Sequence, residues 1–338
     1  DHFNTVLYTG NGTTDHAITG VGFQPDWTWL KKRNNADDNI LQDVARTATK
    51  YVLSNSSAAE ATYAEGFKSF DSDGFTLGNA NNTNQNTHTF VAWNWKGGTT
   101  SGLSGGNITP SAYSYNATSG FGVYKYTGNG SADQTIPHGL GAIPQLIFYK
   151  RLDSSTNWVV QSNLLGNRDQ LVLNGTDAEN TDSRLSDSDN WTSTFFKVGT
   201  YGDMNNNGSN HVAYVFCNVK GYCKVGTYTG GSDPFVYLGF KPAWIMFKNT
   251  SSAENWRIVD NKRDDDNPVV QHLFANSNAA EASGTSYSDF IDFLSNGFKI
   301  RSGSGEVDGS GNTIIYMAIA ENPFVANDSG TAVPVVAR

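Results

Sequence analysis

The sequence predicts an all-β protein made of three tandem, diverged antiparallel β-sandwich domains. Three observations carry this: the same blocks recur three times in order, short alternating strands stand between turns rich in Gly and Asn, and helical periodicity is almost absent. The 338 residues suit two or three domains. Lys+Arg is 23 and Asp+Glu 32, a net charge of −9, so the clustered cations that nucleic acid or an anionic membrane surface needs are missing. Only 16% of residues are charged, below the roughly 25% usual for soluble domains. The 36 asparagines and 35 glycines must then supply the wetted surface, as suits many tight loops. Apolar runs such as Leu146–Tyr149 and Val333–Val336 are far too short to insert in a bilayer.

Each copy opens on a strand ending in Tyr-Thr-Gly: Phe3–Gly12, Phe121–Gly130 and Cys223–Gly231. The Gly is expected to supply the positive φ of the following turn. A second block follows in Gly22–Lys31, Gly141–Lys150 and Gly239–Lys248, with Pro25, Pro144 and Pro242 just before the strand, where a missing N–H costs least. Trp27, Leu146 and Trp244 share one face, joined by Trp29, Phe148 and Met246, and the opposite face is also largely apolar. This predicts a central strand buried on both sides. Asn157-Trp158 and Asn255-Trp256 open a further strand. Phe70–Gly78 and Phe293–Ile300 form an Asp/Asn-Gly hairpin, which copy two replaces with Phe195–Gly199. The closing strands are His88–Trp95, His211–Cys217 and Thr313–Ala320.

Tyr8, Tyr126 and Tyr228 lie 118 and 102 residues apart, and the longer interval contains a Gly/Ser/Thr/Asn-rich stretch. The predicted boundaries are residues 1–98 for the first sandwich, 99–119 for a linker, 120–221 for the second, 222–325 for the third and 326–338 for a tail, either disordered or strapped onto a neighbour. Ser54–Thr62 and Ala275–Ser283, rich in Ala and Glu, are the only helix candidates. Six or seven strands per copy favour a jelly roll of concanavalin or SPRY type over a barrel or a propeller. Cys217 and Cys223, the only cysteines, either pair or act as small apolar fillers in adjacent strands; the second reading is the blander.

These blocks resemble a family of domains in virion proteins of marine bacteriophages, including those of cyanobacteria and SAR11-type bacteria. The likeness rests on Tyr8-Thr-Gly-Asn-Gly12, Gly22-Phe-Gln-Pro-Asp-Trp27, Phe70-Asp-Ser-Asp-Gly-Phe75, Val91-Ala-Trp-Asn-Trp-Lys96, Asp260–Asp264 and Ala320-Glu-Asn-Pro-Phe324, and covers roughly residues 3–324. It implies a non-enzymatic structural protein at the virion surface, tail-fibre-like or lectin-like and assembled in the host bacterial cytoplasm. Its partners would be other virion proteins and a host polysaccharide or lipopolysaccharide. By analogy with phage appendages, a homotrimer is expected.

Catalysis finds little support in the residues. Four of the six histidines recur at equivalent places, His88 with His211 and His16 with His138, as structural residues do. Asp71 and Asp73 form a turn whose side chains are expected to cap their own backbone; a calcium ion is the alternative occupant. Asp264–Asp266 is read as solvated charge. Glycan binding needs an aromatic face beside hydrogen-bonding groups. Its candidates are Trp158, Trp191 and Trp256 at loop edges with Asn157 and Asn255, and the Asn-rich tips 81–86 and 205–210 as a rim. Core packing is the competing reading of each Trp. A capsid decoration or adaptor protein, and more distantly a polysaccharide depolymerase, are the alternative functions.

Overall fold

A computed structural model describes residues 2–231, 233–282, 291–301 and 304–321. The tail 326–338 lies outside them. The chain is all-β, and every strand pairing is antiparallel. In copy one a large sheet runs, in spatial order, Phe3–Thr9, Thr89–Trp95, Trp27–Lys32, Ile40–Asp43, Lys50–Leu53 and Ala61–Thr62. The same order of first, last, third, fourth and fifth strand recurs in copy two from Phe121–Thr127 and in copy three from Cys223–Thr229. A small outer sheet covers each large one. It holds His16–Thr19, Gly74–Leu77 and Phe67–Asp71 in copy one, and Phe235–Tyr237, Gly297–Ile300 and Ile291–Leu294 in copy three. Copy two pairs only Gln134–Pro137 with Phe195–Val198. A single 3₁₀ turn, Ser188–Asn190, precedes Trp191, which packs into that copy's outer core where a third strand is lacking. The wrap of first on last and second on next-to-last strand is that of a roll; from the third strand on, the sheet continues as a meander.

Pro144 and Pro242 sit at the register shift that starts each central strand, as their missing N–H requires. Tyr8, Tyr126 and Tyr228 donate their hydroxyls to the carbonyls of Thr83, Met204 and Val307, tying the first strand to a one-turn helix in the loop before the last. The Gly of Tyr-Thr-Gly serves another purpose than the one expected. A Cβ on Gly10 would stand 2.2 Å from the Gln85 carbonyl oxygen, so this glycine permits a close backbone approach. The positive φ falls on the next glycine, Gly12 at 68°.

The two-sided burial of the central strands has a cause beyond the single sandwich. Their outer faces pack on their own small sheets in three separate clusters. Their inner faces all enter one cluster that holds Trp27, Trp29, Trp93 and Trp95 of copy one, Phe148, Tyr214 and Phe216 of copy two, and Trp244, Met246 and Met317 of copy three. Trp27 stacks on Trp95 at 4.1 Å and on Tyr214 of the second copy at 4.6 Å between ring centroids. Large aromatic rings bury the most apolar area per residue, so this axis carries much of the folding free energy. The three copies thus share one central core in addition to the cluster each encloses between its own two sheets.

Hydrogen bonds between copies close a cycle. Trp158 Nε1 donates to the Leu53 carbonyl (2.8 Å) and Trp256 Nε1 to Val172 (2.9 Å). At the same position of copy one, Asn39 Nδ2 donates to Phe274 (3.1 Å) and Ser277 (2.9 Å). Copy two thus reaches copy one, three reaches two, and one reaches three, a pseudo-threefold arrangement within one chain. The segments expected as helices, 54–62 and 275–283, are extended arms instead, as far as 282, where the description ends. Main-chain bonds fasten them to the neighbouring copy: Glu60 N to the Leu152 carbonyl, Thr156 N to Ser57 and Glu281 N to Arg33. Their Ala and Glu favour helix, but tertiary hydrogen bonds outweigh a preference of a few tenths of a kcal/mol per residue.

The stretch 99–119 is no free linker. Ala112–Asn116 is the edge strand of copy two's large sheet, and the Asp26 carboxylate of copy one accepts from Gly97 N (2.8 Å) and Ser114 Oγ (2.7 Å).

Candidate functional site

The residues expected to form a glycan site mostly hold the scaffold. Trp158, Trp191 and Trp256 are 0%, 3% and 2% exposed, so none offers a ring face to a ligand. Two of them are the inter-copy donors just described. Asn157 and Asn255 accept from Asn174 Nδ2 and Asn276 Nδ2, both at 2.9 Å. Those partners in turn accept the backbone N–H of Trp158 and Trp256. At the Asn-rich tips, Asn84 and Asn205 are fully buried. Each accepts from the backbone of the Asn-Gly turn, Asn11 N (2.9 Å) and Asn129 N (2.8 Å), and donates to the Gly78 or Gly199 carbonyl.

The candidate calcium ligands are likewise occupied. Asp73 accepts from Gly22 N (2.7 Å) and Gly20 N (3.1 Å), while Asp71 accepts from Ser69 Oγ (2.8 Å) and Thr76 Oγ1 (2.7 Å). With their oxygens aimed at hydrogen donors, the pair does not fit a cation, whose ligands must turn lone pairs inward. Among the described residues no cluster of three or more His, Cys, Asp or Glu gathers to hold a metal ion. Asp264 caps its loop through Val270 N (2.6 Å) and Gln271 N (3.0 Å). The rings of His16 and His88 meet Asn84 and Asn34, and those of His138 and His211 meet backbone groups. Cys217 and Cys223 are free, buried thiols in different core clusters, and burial pushes the Cys223 thiol up to about 12.

Two sets of polar residues escaped the sequence reading. Lys31, Lys150 and Lys248 occupy equivalent positions and are wholly buried. Each ammonium donates to backbone carbonyls, one of them in the neighbouring copy: Asn278 (3.4 Å), Ser57 (3.1 Å) and Thr176 (3.0 Å). With little else to offset desolvation, burial pushes all three down to about 8. The second set lies at inter-copy contacts. Arg46 Nε and Tyr214 Oη both donate to Asp43 Oδ2 at 2.6 Å, and Arg263 Nε (2.6 Å) and Trp93 Nε1 (2.9 Å) both donate to Asp260 Oδ2. Copy two carries Ser162 and Leu165 at the corresponding positions, and the residue matching Tyr214 and Trp93 in copy three is Met317. The ion pair stands where the facing residue is a hydrogen donor and is gone where it is a thioether.

The feature without a scaffold role is an aromatic pair on the outer sheet of copy three. Phe235 and Tyr237 alternate along an edge strand and are 49% and 60% exposed, while Val236 between them points into the core. Register places Ala17 and Thr19 at these positions in copy one and Thr135 and Pro137 in copy two. Only the third copy therefore exposes rings there. Lys299 is the cross-strand partner of Phe235. Lys224 donates to the Tyr237 carbonyl (2.6 Å), its ammonium 5.9 Å from the centre of that ring. Beside them a shallow groove of about 280 Å³ is lined by Asn218, Lys220, Lys224, Leu238 and Phe240. Comparing Ala17-Ile-Thr, Thr135-Ile-Pro and Phe235-Val-Tyr in register would have singled out this pair in the sequence.

What fold and site define together is a threefold-repeated all-β scaffold with one aromatic face that its symmetry does not require. The chain belongs to the family described as DUF7483, a domain of unknown function, whose model matches residues 1–323. That match spans all three copies as one unit. A search of curated proteins finds no match.

Proposed function

We propose that the chain is a bacteriophage virion surface protein, a fibre- or spike-like appendage, that binds host-surface glycans through the outer sheet of its third copy. The observation that carries the binding role is the exposure of Phe235 and Tyr237 in that copy alone. Exposed rings on a β-sheet contribute nothing to the core, and flat aromatic faces stack on the C–H faces of sugar rings. The virion setting is supported by the resemblance of the repeated blocks to marine phage domains. A capsid decoration or adaptor role would draw on the same scaffold without this face. Assembly into a homotrimer belongs to the proposal, although one chain already has three-way pseudo-symmetry; sedimentation of the purified protein reads its mass.

The test is binding to a glycan array and to purified bacterial capsule and lipopolysaccharide. Wild-type protein is expected to bind a subset, and Phe235→Ala with Tyr237→Ala to lose that binding while keeping the same unfolding midpoint. Absence of binding by the wild type, or binding that survives the double substitution, overturns the reading.

A further inference from the structure

The surroundings of the aromatic pair narrow the class of saccharide. In a chain of net charge −9, the side chains around the two rings are cationic. Lys299 faces Phe235 across the sheet, Lys224 lies against Tyr237, and Lys220 joins Lys224 along the groove. Among the described residues none of the three is in an ion pair, whereas Lys68 pairs with Asp15, Arg184 with Asp182 and Lys241 with Glu321. The nearby carboxylate of Asp292, cross-strand from Lys299, is taken by Arg301 Nε at 2.7 Å, and Asp233 precedes Phe235 by two residues. Lys224 spends one N–H on the Tyr237 carbonyl, which fixes the ammonium beside the ring and leaves two donors for a ligand.

Resting on the glycan reading above, we infer that this face takes an anionic saccharide, one bearing carboxylate or phosphate groups. A sugar ring would stack on Tyr237, and its anionic substituent would sit between Lys220 and Lys224. Charge complementarity argues for this occupant over a neutral glycan, because three unpaired ammoniums lose hydration beside a neutral ligand with no charge to offset it.

The experiment uses the full chain on an array of matched glycans that differ only in an acid group: uronates, phosphorylated sugars and their neutral parents. Acidic members are expected to bind at least about fivefold better than their parents at low salt, with the advantage shrinking at high salt. Lys220→Gln with Lys299→Gln, changes at one exposed and one half-buried lysine that leave both rings in place, is expected to remove most of that advantage. The carboxylated and phosphorylated arms show which acid is preferred. Equal binding of acidic and neutral members, unchanged by the lysine substitutions but lost on Phe235→Ala with Tyr237→Ala, overturns this inference and leaves the glycan reading standing. No binding at all overturns both.

Discussion

Replacing Arg46 by Leu tests how the copies are joined. Arg46 and Asp43 have no exposed side-chain surface, and their pair is shared with Tyr214 of the next copy. Burial works against the Arg46 charge, and Asp43, Tyr214 and Glu60 beside it together more than restore it. The substitution leaves the Asp43 carboxylate buried with only Tyr214 Oη and the backbone N–H of residue 46 as donors. Removing one partner of a buried pair costs about 3–5 kcal/mol. The protein itself suggests the repair, since copy two carries Ser162 and Leu165 at the positions of Asp43 and Arg46, and copy three carries Met317 at that of Tyr214. The triple variant Asp43→Ser, Arg46→Leu, Tyr214→Met is therefore expected to recover most of the loss, ending within about 1–2 kcal/mol of wild type. Urea unfolding followed by tryptophan fluorescence reads both values. A loss below about 1 kcal/mol for the single change, or a triple variant no better than the single, would refute the reasoning.

Other outcomes follow from the same geometry. Trp158→Phe removes the indole donor to Leu53 and is expected to cost about 1–2 kcal/mol in urea unfolding while leaving glycan binding untouched. Gly10→Ala drives a Cβ into the Gln85 carbonyl and should cost about 2 kcal/mol or more, whereas Gly202→Ala, whose nearest neighbour is 3.9 Å away, is neutral or slightly stabilising; thermal melts compare the two. The buried lysines bear on pH. Their folded pKa near 8 lies below the unfolded 10.5, so the cost of the buried charge is full below about pH 8 and is relieved as pH rises towards 10.5. Relative to Lys150→Met, wild type should therefore gain up to about 3 kcal/mol between pH 7 and pH 10, read from paired unfolding curves. A chelator should leave the melting temperature unchanged, since the Asp71 and Asp73 oxygens already accept hydrogen bonds.

The strands, the hairpins and the threefold recurrence were legible because alternation, Pro before the central strand and Asn-Gly turns are local signals. The shared core was not. A strand buried on both faces shows the same apolar run whether its second face meets its own sheet or another copy, so Trp27 and Trp244 could be placed inside but not at a common axis. Trp158 and Trp256 follow polar loops, which made them look like rim residues; the partner carbonyls that bury them lie 105 and 84 residues away. The arms 54–62 and 275–282 carry helix-forming composition and owe their extended shape to a neighbouring copy. Phe235-Val-Tyr237 carries no mark of its own, because exposure on an edge leaves no trace in one sequence. Only its mismatch with the other two copies marks it.

Residue-resolved amide chemical shifts, recorded while the protein is titrated with a glycan it binds, test the central claim most directly. The account predicts that the shifts which move cluster at Phe235–Phe240, Lys220–Lys224 and Lys299, with the matching strands of copies one and two unchanged. Shifts that move instead at His16–Thr19 or Gln134–Pro137, or equally in all three copies, would contradict it.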